Sequence, residues 1–294
     1  MQNPAVTITQ TLATAMAQGL ERLDAQMLLL HAAGKPLEDR AWLLAHSHDV
    51  LDTAAVARFA LATQRRASGE SVAYITGTKD FFGLTLQVDA RVLVPRPDTE
   101  TLVHWALDVA PPDASVIDLG TGSGAIALAL KSQRPKLHVT AIDVSADALA
   151  VARSNAARLG LDVFFTLGNW FDPVHDGDGD GDGDGDGGPT GILQQYNLIV
   201  SNPPYIATGD PHLDALAHEP VQALTSGADG LDAIRQIIAQ APAHLRPGSW
   251  LLLEHGYDQA ARVRALLAHA GFLNSQSRRD LAGIERCSGG QSPF

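Results

Sequence analysis

The chain has 294 residues, of which 45% are hydrophobic, and a formal net charge of -12. Its length fits one large domain or two unequal ones. An acidic chain is a poor candidate for non-specific duplex binding, which needs basic groups against phosphates. One cysteine, Cys287, excludes an intramolecular disulfide, and no apolar run approaches the length of a membrane span. We expect a cytoplasmic monomer without membrane or direct nucleic-acid partners.

Residues 1–75 have helical periodicity and no strand alternation. An apolar stripe with spacings of four and three predicts the core face of a first amphipathic helix, formed by Met16, Leu20, Leu23, Met27 and Leu30. Further helices are predicted near 37–46 and 52–67. The pattern indicates a small N-terminal helical bundle.

The composition changes between this bundle and Pro97. The runs VAYITG, LTLQV and RVLVP are rich in β-branched and aromatic residues, with Gly77 and Gly83 between them. Such runs favour strands, so residues 76–96 are predicted to form a β-hairpin linker. A helix follows from about residue 100, and Asp98 or Thr99 is predicted to cap it.

From residue 97 to 294 the predicted elements alternate between strand and helix. The predicted strands are 115–119, 137–142, 163–167, 196–201 and 249–254, with two shorter ones near 272–277 and 283–288. The predicted helices lie near 124–132, 145–159, 229–245 and 258–270. This alternation predicts an α/β domain with a parallel sheet covered by helices on both faces.

Residues 176–188 contain six consecutive Asp-Gly pairs. Free glycine backbones and mutually repelling carboxylates predict a disordered surface loop. The tract imitates the start of a calcium-binding EF-hand loop, but Gly187 stands where that loop needs a bidentate Glu. We favour an expansion without function and predict no metal site. Because half of the net charge lies here, the acidity says little about the partner.

A glycine-rich turn follows the strand that ends at Leu119. It consists of Gly120, Thr121, Gly122, Ser123 and Gly124. The glycines allow close backbone approach to a ligand, and the helix that follows offers free N–H groups to an anion. Asp143, after the next strand, suits the two hydroxyls of a ribose. NAD and S-adenosylmethionine both fit this pair of features, whereas a nucleoside-triphosphate loop would need a Lys that is absent.

The sequence Asn202-Pro203-Pro204-Tyr205 directly follows the predicted strand 196–201. Ligands bind beyond the carboxyl ends of parallel strands, so this tetrapeptide should lie beside the glycine turn. The Asn202 side-chain oxygen and the Pro203 carbonyl would accept the two hydrogens of one –NH₂ group, and Tyr205 would form a flat wall against a planar substrate. This arrangement suits methyl transfer to a planar nitrogen.

These segments together resemble the HemK/PrmC family of protein-(glutamine-N5) methyltransferases, which act on peptide chain release factors. The resemblance covers nearly the whole chain. Besides the turn and Asn202–Tyr205, it includes the runs GESVAYITG (69–77), VPRPDTE (94–100), LRPG (245–248) and DLAG (280–283). The chain departs from the family pattern at Ser71, where proline is usual, and at Asn169, where an acidic residue is common.

The resemblance implies a Rossmann-like class I methyltransferase domain, a hairpin linker and an N-terminal domain that binds substrate. It implies methylation of the glutamine in the Gly-Gly-Gln motif of bacterial release factors. Gly120–Gly124, Asp143 and Asn202 would bind S-adenosylmethionine, with Trp170 near the adenine. Asn202–Tyr205 would hold the glutamine amide.

Several alternatives stay open at this stage. A DNA amino-methyltransferase or a ribosomal-protein glutamine methyltransferase would use a similar site for an –NH₂ group. A release-factor binder without turnover and an NAD oxidoreductase are the other candidates. Arg96 is interpreted as a loop anchor, and no catalytic role is assigned to Glu254 or His255 at the end of the strand 249–254. The Gly-Gly-Gln at residues 289–291 is interpreted as a coincidence.

Overall fold

The computed structural model describes residues 6–173 and 195–293. The Asp-Gly tract, with its predicted disorder and its alternative calcium site, lies outside these residues. The chain divides into two compact units. The first comprises the chain through Thr78 together with Ala215–His218, and the second comprises Lys79–Asp214 and Glu219–Phe294.

The first unit is a helical bundle, as the periodicity predicts. Its helices are α1 (Ile8–Ala17), α2 (Arg22–Ala32), α3 (Arg40–Ala45), α4 (Thr53–Ala67) and α5 (Val72–Thr76). Its core is built around α2, where Leu28, Leu29 and Leu30 are fully buried. These side chains cluster with Ile8 of α1 and Phe59 of α4.

The prediction of one continuous first helix is wrong, because the chain breaks between α1 and α2. Gly19 has a φ of +97°, a left-handed conformation that ends a helix. The break changes which residues face the core. Leu30 is fully buried, whereas Met16 and Leu23 are 39% and 47% exposed.

The prediction of a strand in the run VAYITG is also wrong, since Val72–Thr76 forms α5. The Ser71 side chain accepts a hydrogen bond from the Tyr74 backbone N–H at 3.2 Å, and Gly77 ends the helix with a φ of +74°. The caps at both ends of this short segment outweigh its β-propensity. The run RVLVP is irregular as well.

The predicted hairpin is formed by two short strands, β1 (Thr78–Phe81) and β2 (Leu84–Gln87). The two residues that join them, Phe82 and Gly83, have φ values of +50° and +77°. Positive φ at both positions is the geometry of a tight hairpin turn whose twist matches that of its strands.

In its described residues, the second unit continues with an eight-stranded sheet and five α-helices. The helices are α6 (Thr99–Val109), α7 (Ala125–Gln133), α8 (Ala146–Leu159), α9 (Asp232–His244) and α10 (Ala260–His269). The strands are β3 (Ser115–Leu119), β4 (His138–Asp143), β5 (Phe164–Asn169), β6 (Asp172–Pro173), β7 (Tyr196–Ser201), β8 (Leu245–Glu254), β9 (Leu273–Arg279) and β10 (Glu285–Gln291).

The strand order is β6-β5-β4-β3-β7-β8-β10-β9. The five neighbouring strands β5, β4, β3, β7 and β8 are parallel. Strand β6 pairs antiparallel with β5, and β10 pairs antiparallel with both β8 and β9. The predicted α/β fold with a mostly parallel sheet is confirmed.

Helices cover both faces of the sheet, because successive strand residues point to opposite sides. Val116 of β3 belongs to the core under α6 and α7, whereas Ile117 belongs to the core under α9 and α10. Among the described residues, no helix is both long and apolar enough to cross a membrane.

The topology places the candidate site at one edge of the sheet. From β3 the chain proceeds to β4 and β5 on one side, and β7 and β8 then lie on the other. Leu119 pairs with Ile142 and with Ser201, and Ser201 pairs with Leu253. The carboxyl ends of four parallel strands therefore meet where such sheets bind ligands.

Candidate active site

The glycine turn lies between β3 and α7 and is fixed to the neighbouring strand. The backbone N–H groups of Gly120 and Thr121 both donate to the Ile142 carbonyl, at 2.8 and 2.9 Å. Gly124 has a φ of +83°, and a Cβ there would lie 2.9 Å from Leu128 Cδ1. Left-handed backbone and close packing both require glycine at this position.

A buried carboxylate stabilises the turn from the side of the protein core. Asp118 Oδ2 accepts hydrogen bonds from the Thr121 hydroxyl at 2.7 Å and from the Ala127 N–H at 3.2 Å. Burial raises the pKa of Asp118 to about 7. Thr121 thus supports the turn from inside the fold, and it is absent from the residues that line the cavity described below.

Asp143 ends β4 and holds the turn on its ligand side. Its Oδ2 accepts from the Gly122 N–H at 2.8 Å, and its Oδ1 accepts from the Ser145 N–H at 2.9 Å. Burial raises the pKa of Asp143, and these backbone hydrogen bonds oppose the rise. A carboxylate has about four acceptor sites, so it retains capacity for ligand hydroxyls.

A cavity opens at this edge of the sheet, where sheets of this kind bind small molecules. The predicted residues that line it are Gly120, Gly122, Asp143, Trp170, Asn202 and Pro204. Sequence reasoning missed Val144, Ser145, Ala148 and Gly168, which lie near predicted residues in the chain. It also missed two groups in loops without a ligand motif. They are Arg91, Val92 and Leu93, and Pro220, Gln222 and Ala223.

Trp170 is the aromatic side chain that lines the cavity. Its φ is +56°, which is rare for a bulky residue and is found where surrounding structure imposes it. A Cβ on Gly120 would lie 3.6 Å from Trp170 Cζ3, so the indole stands directly against the glycine turn. Asn169 lines the cavity beside it.

The tetrapeptide after β7 lies next to the turn, as its position predicts. Asn202 and Pro204 line the cavity, whereas Pro203 and Tyr205 do not. Pro203 is buried. The Tyr205 ring packs against the core under α9 and α10, and its hydroxyl donates to Glu254 Oε1 at 3.2 Å.

The segment before α6 is held by ion pairs. Arg96 pairs with the buried carboxylate of Glu219, as expected of a loop anchor. The prediction that Asp98 or Thr99 caps α6 is right in position only, because Asp98 is the N-cap residue but its side chain makes no capping hydrogen bond. It lies 3.3 Å from Arg286 Nε instead. Thr99 is the first residue of α6, and its Oγ1 accepts from Asn202 Nδ2 at 3.3 Å.

The Gly-Gly-Gln at residues 289–291 lies away from this edge. In the ladder of β10 with β8, Cys287 pairs with Glu254 at the site end, and Gln291 pairs with Trp250. Four residues of a strand span about 13 Å. The Gln291 amide also accepts from Asn274 Nδ2 at 2.6 Å and donates to the Gly248 carbonyl at 3.3 Å. It belongs to the end of β10 that lies far from the cavity, between β8 and β9.

Comparison with known proteins agrees with this geometry. The family model described as the PrmC N-terminal domain matches residues 7–77, and a methyltransferase domain model matches residues 111–269. A release factor glutamine methyltransferase of Burkholderia pseudomallei is 46% identical over 94% of this chain and 94% of its own. One of Xylella fastidiosa is 45% identical over 96% of this chain and 97% of its own.

The chain belongs to the release factor glutamine methyltransferase family. Identity of this level over nearly the full length of both chains confirms the family that the sequence resembles, and it makes the chain a methyltransferase. An NAD oxidoreductase is thereby set aside.

Solved structures with lower identity confirm the class I Rossmann-like fold. A methyltransferase from Pyrococcus furiosus has a TM-score of 0.54 at 16% identity, covering 80% of this chain and all of that one. A 16S ribosomal RNA methyltransferase from Thermus thermophilus, solved with AdoMet and guanosine, has a TM-score of 0.50 at 15% identity. It covers 73% of this chain and 49% of that one.

Glu254 is one of the two residues at the end of β8 to which sequence reasoning assigned no catalytic role. It ends β8, the strand beside β7, and it is 1% exposed. The available signal was its position, because a carboxylate at the carboxyl end of a central parallel strand lies at the ligand edge. The run of hydrophobic residues before it gave no indication of its hydrogen-bond partners.

Proposed function

We propose that this chain transfers a methyl group from S-adenosylmethionine to the side-chain amide nitrogen of the glutamine in the Gly-Gly-Gln motif of bacterial release factors. The observation that carries the proposal is the position of Asn202 on the wall of the cavity between the glycine turn and Thr99. The relatives are named release factor glutamine methyltransferases, which supports the same substrate.

The cavity residues fit S-adenosylmethionine. Gly120 and Gly122 present backbone without a side chain in the way, and their φ values of +71° and +57° are ones that glycine adopts without strain. Asp143 would accept from the ribose hydroxyls, and Trp170 would cover an aromatic base. When bound, the cofactor would supply an electrophilic methyl group, whose bond to sulfur would break as the bond to the amide nitrogen forms. The methylated nitrogen would then lose one proton to solvent, which leaves a neutral N-methyl amide.

The chain's own residues would bind and orient the amide. Asn202 Oδ1 and the Pro203 carbonyl would accept its two hydrogens, which favours a nitrogen that becomes more positive and more tetrahedral. Pro203 and Pro204 lack N–H donors and have a fixed φ, so they limit local competition for these acceptors. Holding the amide in line with the methyl group lowers the activation barrier, because the entropy cost of bringing the two reactants together is met on binding.

The first unit is proposed to bind the release factor, and the protein is proposed to act as a cytoplasmic monomer. We also propose the division of the chain into a substrate-binding domain (1–75), a hairpin linker (76–96) and a methyltransferase domain (97–294). The family membership favours a protein substrate over DNA.

Mass mapping of a release factor after incubation with the chain and S-adenosylmethionine tests the proposal. We expect the mass of one methyl group on the Gly-Gly-Gln glutamine, and none on a release factor whose glutamine there is alanine. Methylation of duplex DNA in place of the release factor would overturn the proposal.

Asn202→Ala tests the amide acceptor. Losing one preorganised hydrogen-bonding group should lower kcat by about 100-fold, while calorimetry should show that S-adenosylmethionine still binds. Unchanged turnover in this variant would contradict the role of Asn202.

A further inference from the structure

The tetrapeptide Asn202–Tyr205 is fixed at both of its ends by groups outside it. At its start, Ser201 belongs to β7, and its buried hydroxyl donates to the Leu119 carbonyl at 2.7 Å. At its end, the Tyr205 carbonyl accepts a hydrogen bond from Gln259 Nε2 at 3.0 Å. The first end is held by the sheet, whereas the second is held by a side chain from a distant part of the chain.

Gln259 is buried, and both ends of its side-chain amide are paired. It directly precedes α10 and is 6% exposed. Its Oε1 accepts from the Gly256 N–H at 2.8 Å, while its Nε2 donates to Tyr205. A backbone N–H only donates and a carbonyl only accepts, so these two partners determine which way the amide is turned. An apolar side chain here would leave both backbone groups without this partner.

The peptide group that joins Tyr205 to Ile206 is hydrogen-bonded on both sides. Its carbonyl accepts from Gln259, and its N–H donates to the Leu224 carbonyl at 2.9 Å. The next carbonyl, that of Ile206, accepts from the Ser226 N–H at 2.9 Å. The plane of this peptide group is therefore fixed, because a rotation would break one hydrogen bond or the other.

Gly230 packs directly against the same peptide group. It has a φ of +75°, and a Cβ there would overlap the Tyr205 carbonyl oxygen and lie 2.8 Å from Gln259 Nε2. Any other residue would have to displace the carbonyl or the amide that binds it. Glycine at this position thus leaves room for the hydrogen bond between Tyr205 and Gln259.

The two prolines carry the position of this peptide group toward the cavity. A proline ring fixes φ, and the residue before a proline is restricted to extended conformations. Asn202 and Pro203 both precede a proline, and Pro203 and Pro204 are both prolines. Few backbone torsions are therefore free between Asn202 and Tyr205, so a displaced Tyr205 carbonyl would displace the residues before it.

We propose that Gln259 is a positioning residue, which fixes the Tyr205 peptide group and so keeps Asn202 Oδ1 and the Pro203 carbonyl in place for the substrate amide. This inference rests on the proposed function, since it assigns what holds the two acceptors of the glutamine. Neither Gln259 nor Gly230 is among the described residues that line the cavity. The action of Gln259 is therefore indirect, and cofactor binding does not depend on it.

Gln259→Met and Gly230→Ala test the inference in two independent ways. The first removes the donor to the Tyr205 carbonyl, and the second places a methyl group against that carbonyl. Each should lower kcat by about 100-fold, the cost of a misplacement of about 1 Å, with calorimetric affinity for S-adenosylmethionine unchanged. The double variant should lose less than the product of the two single losses, because both displace the same peptide group.

Matched substitutions elsewhere in the second unit control for a lost hydrogen bond and for backbone strain. Gln291→Met removes another side-chain amide that donates to a backbone carbonyl, that of Gly248 at 3.3 Å. Gly271→Ala places alanine at a φ of +86°, where its Cβ has open space. Both controls should keep the kcat of the unmodified chain. If Gln259 served only the start of α10, Gly230→Ala would keep that kcat as well, and the inference would be wrong.

A second measurement does not depend on turnover. Tyrosine labelled with ¹³C at the carbonyl gives a resonance for each of the four tyrosines. That of Tyr205 should shift in Gln259→Met and stay unchanged in Gln291→Met. The NMR resonances of the Asn202 side-chain amide, in protein without cofactor, should shift in Gln259→Met and in Gly230→Ala. A shift at Tyr205 with none at Asn202 would show that the displacement does not reach the acceptors, and it would overturn the inference.

The outcomes separate the two proposals. If the unmodified chain methylates the release factor and Gln259→Met retains its kcat, the positioning role is wrong. If the unmodified chain leaves the release factor unmethylated while the Tyr205 and Asn202 resonances shift as expected, the proposed function fails and the structural link from Gln259 to Asn202 stands.

Discussion

The glycines of the turn between β3 and α7 differ in what requires glycine at each position: backbone conformation, side-chain packing or both. Gly124 would bring a Cβ to 2.9 Å from Leu128 Cδ1 and 3.3 Å from the Ala152 Cβ, so both backbone and packing require glycine there. Gly122 has a positive φ as well, but its Cβ would meet nothing within 4 Å. Such differences between glycines of one motif are invisible in the sequence.

Gly124→Ala measures the packing constraint. Left-handed backbone costs about 1 kcal/mol for alanine, and overpacking adds about 1–3 kcal/mol. The matched control is Gly160→Ala, where φ is +66° and the new Cβ has open space. Urea unfolding should show a clearly larger loss of stability for Gly124→Ala. Equal losses in the two variants would contradict the packing argument.

At the scale of elements, Asn155 of α8 joins the hairpin to the glycine turn. Its Oδ1 accepts from the Gln87 N–H at 2.7 Å, and its Nδ2 donates to the carbonyls of Gln87 and Ser123, both at 3.0 Å. Asn155 is fully buried. One side chain thus satisfies backbone groups at the end of β2 and in the turn that precedes α7.

Asn155→Ala should destabilise the second unit and loosen the turn. Leaving buried backbone groups unpaired costs about 3 kcal/mol, and we expect weaker binding of S-adenosylmethionine because Ser123 loses its partner. Asn197→Ala is the comparison: it removes one hydrogen bond, from the Ser115 N–H at 3.0 Å, at the start of β3. It should cost less stability and leave cofactor affinity unchanged, as chemical denaturation and calorimetry would show.

At the scale of the whole molecule, the core of the first unit and the cofactor cavity lie in different units. The first unit has its own core around α2, and all residues that line the cavity belong to the second. Damage to the first core should therefore leave the cavity intact.

Leu29→Ala is expected to cost the first unit about 3 kcal/mol, since Leu29 is fully buried and its truncation leaves a cavity. Calorimetry should show unchanged S-adenosylmethionine affinity at a temperature where both units are folded. Leu119→Ala, directly before the glycine turn, should lower both stability and affinity. A loss of cofactor affinity in Leu29→Ala would show that the units are coupled.

The alternation of strands and helices after Pro97 was readable from sequence because buried parallel strands are continuous apolar runs. The predicted strand 115–119 coincides with β3. Predictions were weaker where local signals conflicted. Ser71 and Gly77 made a helix of a segment rich in β-forming residues, and Gly19 divided what the apolar spacing joined into one helix.

By itself, the sequence determined the family, the fold class and the segments that carry the chemistry, because the glycine turn, Asp143 and Asn202–Tyr205 are contiguous or closely spaced signals. Only the tertiary structure decided which of these residues face the cavity. It also brought Thr99 to Asn202 and Glu254 to Tyr205, from positions about a hundred and about fifty residues away along the chain. Pairing of distant strands brings such groups together, and no local pattern records which strand ends become neighbours.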